Sequence, residues 1–147
     1  MKLKSLFTKN QAVNNAKLLD YSQRLEILDV LGEPLVKDVR DGALNFAMRI
    51  AQYTTVNPVS LEYYKALSDL SEEQKEAVCD LLSETITDTI YRFMKLFEEN
   101  PEQFKMLIKK DGVEYDVVEI SEDTGSEITF PDEDGWIQRF SEIGRFV

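Results

Sequence analysis

Ser71 to Glu99 constrains this chain more than any other stretch, because no Gly or Pro interrupts it before Asn100-Pro101. It opens with Ser71-Glu-Glu-Gln74, a capping-box start in which Ser is followed three residues later by Gln. On a wheel of about 100° per residue, Val78, Cys79, Leu82, Thr85, Ile86, Thr89, Ile90, Phe93, Met94, Leu96 and Phe97 share one half. Asp80, Glu84, Asp88, Arg92, Lys95 and Glu98 share the other. A helix of this length spans roughly 40 Å, enough to cross a small domain. Its apolar half is too wide for a coiled-coil seam, so it reads as the central helix of one core. Leu82, Ile86, Ile90 and Phe93 are expected to be buried there, with Cys79 packed beside them.

The rest of the chain arranges itself around that helix as a single domain, residues 1–147. Residues 1–17 show no period and read as an arm. Asp20 can cap a helix to Leu31 that carries Leu18, Tyr21, Leu25 and Leu28, with Gly32 as its end. Pro34 suits the first turn of a second helix, to about Tyr53, with Leu35, Val36, Val39, Ala43, Phe46, Ala47, Ile50 and Ala51 inward. Leu44 and Met48 fall outside that arc, and Arg40 falls at its edge, where a snorkelling arginine paired to a carboxylate is the expectation. Gly42, in mid-helix at a cost of about 1 kcal/mol, implies either close approach of another backbone or a kink. Asn57-Pro58 is a cap followed by a first-position proline, with Val56 and Leu61 spaced as a hydrophobic staple. That third helix is expected to reach Ser68 and to pack Leu61, Tyr64 and Leu67.

Asn100-Pro101 predicts a fifth helix that buries Phe104, Leu107 and Ile108 and ends near Gly112. The bundle therefore covers residues 18–110. From Val113 the period changes to two: Val113, Tyr115 and Val117 alternate with Glu114 and Asp116, Val118-Glu-Ile120 can prolong that strand after a shift, and Ile128 and Phe130 alternate with Glu127 and Thr129. These read as a hairpin followed by a short helix through Trp136, Ile137, Phe140 and Ile143 to Gly144, all of it packed on the bundle over residues 113–147. The fold class is mainly α (α+β): about five helices, a C-terminal β-hairpin and a terminal helix.

Charge narrows the functional classes. Residues 1–70 carry nine Lys/Arg against eight Asp/Glu, whereas residues 71–147 carry eight against twenty. Asp111 to Asp134 holds ten acids and no base, while the first nineteen residues carry Lys2, Lys4, Lys9 and Lys17 and no acid. Such a surface disfavours nucleic acid, whose phosphates want the opposite sign. No apolar run reaches membrane-spanning length, and a lone cysteine cannot form an internal disulfide, so the expected compartment is the cytoplasm.

Without histidine, histidine-based triads, general bases and zinc sites are excluded. No phosphate-binding Gly-rich loop is present. Pro131-Asp-Glu-Asp-Gly135 resembles part of a calcium loop, but aligning Gly135 to its glycine leaves Phe130 and Ser141 at the first and last ligand positions. No cofactor, metal or catalytic residue is implied. The cluster of Phe93, Met94, Phe97, Phe104 and Trp136 reads as core. What remains is a small acidic protein-binding module of inhibitor or immunity type, docking on a basic partner. Glu114, Asp116 and Glu127 would form an acidic outer sheet face, and Asp80, Glu84 and Asp88 an acidic ridge on the central helix. The alternative is a homo-oligomeric structural protein, such as a homodimer, joined through Leu44 and Met48.

Overall fold

The computed structural model describes residues 18–121, 123–129 and 135–143. The arm 1–17, the run 130–134 and Gly144 lie outside the described residues.

The first helix, α1, spans Tyr21–Pro34. Asp20 and Gln23 close a capping box at its start: the Asp20 carboxylate accepts from the Gln23 N–H at 2.8 Å, and Gln23 Oε1 accepts from the Asp20 N–H at 3.0 Å. Gly32 does not end the helix. It stays helical, and the Trp136 ring lies against it, so close that a Cβ would stand 2.5 Å from the ring. Pro34, which removes one donor from the ladder, is followed by a widened π-helical stretch, Leu35–Asp41, and then by α2, Gly42–Ala51. The two expected helices are thus one continuous rod with a wide turn inside it.

That wide turn corrects the expected inner face. A π-turn takes one more residue than an α-turn, so downstream side chains are rotated by about one position, on the order of 100°. Val36, Arg40, Leu44 and Ala51 point inward and are buried, while Val39 and Phe46 are 51% and 59% exposed. Leu44, expected at a subunit interface, is fully enclosed within the chain. Gly42 has open space around it, so close backbone approach is not its role; it stands where the π-turn gives way to α2.

Asn57 caps α3, Pro58–Tyr63, with its side chain accepting from the Val59 N–H at 3.0 Å. The expected helix to Ser68 is broken at Tyr64 and continues as a 3-10 turn, Lys65–Asp69. None of its residues is fully buried, and Val56 is 91% exposed, so the staple is not made. The central helix, α4, runs Glu72–Glu99 behind the Ser71–Gln74 capping box.

Beyond Asn100 the expected fifth helix is absent. Leu107–Lys110 (β1) pairs antiparallel with Val113–Asp116 (β2), and Asp111 and Gly112 make the two-residue turn at φ 52° and 80°. Asp-Gly supplies the two positive φ angles of a type I′ hairpin, which overrides the helix-like spacing of Phe104, Leu107 and Ile108. Helical turns α5 (Val117–Ile120) and α6 (Ser126–Thr129) stand where strand continuation and a second strand were expected. Side chains dictate both: Asp116 caps α5 through the Val118 N–H, and Asp123 accepts from the Ser126 N–H. The chain closes with α7, Trp136–Phe140.

The core lies at one end of α4. Ile90 and Met94 meet Ile27, Leu28 and Val36 from the first rod, Ile108, Val117 and Ile120 from the hairpin region, and Ile128, Trp136 and Ile137 from the last turns. Cys79 is buried as expected, whereas Leu82 and Ile86 are half-buried and Phe93 is 50% exposed. Two glycines separate packing from propensity. Gly32→Ala is expected to cost about 1–3 kcal/mol by overpacking against Trp136. Gly42→Ala, helical and unobstructed, is expected to gain about 0.5–1 kcal/mol in a urea melt.

Candidate functional site

The acidic residues expected to share a docking face do not share one. Glu114 is exposed on β2, but the strand register sets Lys109 directly opposite it. Asp116 is only 6% exposed; it accepts from Lys105 Nζ at 2.6 Å and caps α5. Glu127 is half-buried in α6 and accepts from the Ser121 hydroxyl at 2.8 Å. The expected acidic sheet is therefore replaced by three carboxylates in three separate settings, because the second strand that would have aligned them is a helical turn. Asp80, Glu84 and Asp88 do run along one side of α4, with Arg92 bound to Asp88 at 2.7 Å. That pair is largely exposed and contributes little to stability. Among the described residues, no three carboxylate or thiol ligands converge on a point that could hold a metal ion.

The densest polar constellation is internal. Arg40, 1% exposed, donates to Asp41 at 2.8 Å, Thr87 at 3.0 Å, Ser141 at 3.2 Å and Ser83 at 3.3 Å. Asp41 also accepts from the Ser141 hydroxyl and, at 2.8 Å, from the Glu142 N–H. The π-stretch places the two adjacent side chains inward together, and Ser83 and Thr87, one turn apart on α4, receive the guanidinium. Sequence spacing had marked Arg40 as a snorkelling residue with a carboxylate partner; the carboxylate is real, but the side chain is enclosed. The Arg40 and Asp41 side chains are almost fully buried, so the network holds the first rod, α4 and the segment after α7 together.

The exposed apolar surface is elsewhere. Because α4 turns Ser83 and Thr87 inward, Phe93 and Leu96 (40% exposed) are left outside. Phe93 packs edge-to-face on Phe97 with centroids 5.3 Å apart, and Phe97 on Phe104 at 6.1 Å. Phe104 is 43% exposed, so this aromatic ladder is a surface feature and only Met94 and Trp136 of the expected cluster are core. At its lower end Phe104 forms part of a cleft of roughly 460 Å³ with Pro101, Val118, Glu102, Glu119 and the Lys105–Asp116 pair. Asp116 in hydrogen-bond contact, with Glu119 and Glu102 further off, raises the Lys105 ammonium above its ordinary range against the effect of burial. Sequence reasoning missed this cleft because it placed Pro101–Lys105 in a helix and Asp116–Glu119 in a strand. The Asp111-Gly112 dipeptide was the signal that could have found it.

Other carboxylates are tuned in opposite directions. Hydrogen bonds from Lys95, then Thr124, hold Glu98 below the ordinary glutamate range. Burial pushes Glu127 above that range; Ser121 and Arg139 oppose the rise, while Asp123 and Asp29 add to it.

No family model, curated protein or solved structure matches this chain.

Two outcomes are expected from these settings. Asp41→Asn keeps acceptors for Ser141 and the Glu142 N–H but removes the carboxylate that Arg40 binds at 2.8 Å, and should cost about 3–5 kcal/mol in chemical denaturation. Adding Arg40→Met should recover part of that loss; strict additivity of the two changes would show that the charges are uncoupled. For Glu127, a raised folded pKa means the folded state holds a proton that the unfolded state has released. Stability contributed by this group therefore falls as pH rises from the ordinary glutamate value through the folded one. Glu127→Gln should raise the thermal midpoint at pH 7, and the two proteins should converge below about pH 4. An unchanged midpoint at pH 7 would contradict the burial effect.

Proposed function

We propose that this chain is a small acidic protein-binding module that docks on a basic protein, as an inhibitor or immunity-type protein covers the basic cleft of a nuclease-like target. The observation that carries the reading is the exposed aromatic ladder, Phe93–Phe97–Phe104 with Leu96, in the half of the chain where twenty acids face eight bases. Exposed contiguous apolar side chains ringed by charge are the common anatomy of a docking surface. The surrounding carboxylates would steer a basic partner and favour a fast on-rate at low salt. The proposed anchor is thus the ladder rather than an acidic sheet, with the ridge of Asp80, Glu84 and Asp88 supplying long-range field. We place its action in the cytoplasm, where a lone unpaired thiol stays reduced. Among the described residues no helix is long and apolar enough to cross a membrane. Of the two residues considered for the alternative oligomer interface, Leu44 is enclosed within the chain and Met48 is half-buried.

Affinity capture with the wild type and with Phe93→Ser plus Leu96→Ser tests this at two salt concentrations. A basic protein should be retained by the wild type at low salt, and at least about tenfold less by the variant, some 1.4 kcal/mol, with helicity unchanged. Equal retention by both proteins would remove the ladder as the docking surface. Self-association of the wild type that the same substitutions abolish would assign the ladder to a homo-oligomer instead.

A further inference from the structure

We propose that the cleft between Pro101–Lys105 and Asp116–Glu119 is an anchor site for an arginine side chain of that basic partner. The inference rests on the protein-binding reading above and adds to it the residue type recognised and the place. The cleft has two kinds of lining. Pro101, Phe104 and Val118 provide apolar walls for a three-carbon stem, and Glu102 and Glu119 provide two exposed carboxylates. Among the described residues, neither Glu102 nor Glu119 takes part in a salt bridge. Asp116 is already committed, to Lys105 and to the first turn of α5. The cleft therefore holds three carboxylates against one ammonium, and the two surplus charges are the accessible ones.

Charge complementarity selects a cation, and the wall selects which cation. A guanidinium is planar, stacks on an aromatic face and presents several donors in a fork, so it can lie on Phe104 while serving two separate carboxylates. An ammonium is a compact, strongly hydrated charge, and Lys105 already supplies one here. The ladder runs into the cleft through Phe104, so a partner segment lying along Phe93 and Phe97 would arrive with its next side chain at the carboxylates. The chain's own arm is a poorer occupant, since residues 1–17 carry four lysines and no arginine. A second copy would bring its own net charge of −11 against the same sign.

The probe is a fluorescent 15-residue amphipathic peptide with arginines on one face and leucines on the other, and its lysine and glutamine counterparts. Binding is measured by anisotropy at low salt, and amide shifts by NMR. The arginine peptide should bind tightest and shift the amides of residues 101–105 and 116–119. Glu102→Gln with Glu119→Gln should weaken it about tenfold, whereas Glu62→Gln with Asp69→Asn, an equal loss of charge at two exposed acids of α3 and the turn after it, should change it less than about twofold. Equal weakening by both pairs would reduce the effect to net charge and overturn the site. Equal affinity for the lysine or glutamine peptide would overturn the assignment to arginine. Loss of binding in Phe93→Ser plus Leu96→Ser, with no effect of the cleft pair, would sink the cleft and leave the protein-binding reading standing. Failure of every peptide to bind the wild type would sink both. Shifts of these amides on dilution of the free protein, or on deletion of residues 1–17, would give the cleft to a second copy or to the arm, and overturn the proposal.

Discussion

A single enclosed guanidinium fixes how the parts of this molecule face one another. Arg40 cannot be left without partners in a dry interior, since an uncompensated buried charge is among the most destabilising things a fold can contain. Its donors go to Asp41 beside it, to Ser83 and Thr87 on α4, and to Ser141 near the end of the described chain. Those bonds oblige α4 to turn a polar pair inward at the point where a purely apolar packing rule would have turned Leu82 and Phe93. The exposed ladder on the far side is the counterpart of that choice. Rotational setting of the central helix is thus decided by a polar network, while the adjoining aliphatic cluster supplies most of the burial.

The parts of the fold that were legible in the sequence are those decided by a few neighbouring residues. Asp20 with Gln23, Ser71 with Gln74 and Asn57-Pro58 each stand where a helix starts, because a cap satisfies orphan N–H groups within one turn. The long central helix, the presence of a hairpin and the helix at Trp136 were likewise readable. What was not readable depends on geometry that a fixed period of 3.6 cannot carry. Pro34 and the widened turn after it change the phase of everything to Ala51, so Leu44 and Phe46 exchange places relative to the wheel. The hairpin was read one strand too late, because the spacing of Phe104, Leu107 and Ile108 outweighed the turn chemistry of Asp111-Gly112. Of the candidate site, the acidic composition was plain from the sequence. Its placement was not, since Asp116 and Glu127 are drawn inward by local caps and hydroxyls.

This redistribution changes what the acidic half of the chain can do. A uniform negative surface would attract any cation equally. Here Asp88, Asp116 and Glu98 each have a basic partner within hydrogen-bond distance, so the local contrast between occupied and unoccupied carboxylates carries more information than the total. Apolar contact on the ladder would supply affinity, and the unoccupied carboxylates would supply register. That division of labour is the usual one between the buried centre of an interface and its rim.

The contact between Gly32 and Trp136 has a consequence of an optical kind. Trp136 is the only tryptophan in the chain and has no exposed surface. Its ring is seated on α1 at a point where no side chain intervenes, while its own helix leads directly to Ser141 and Glu142 on the Arg40–Asp41 network. Emission from this one indole therefore reports the docking of the last helix onto the first rod, separately from the far end of α4. A red shift of that emission while helicity persists would mark release of the terminal segment as an event of its own, visible without any label.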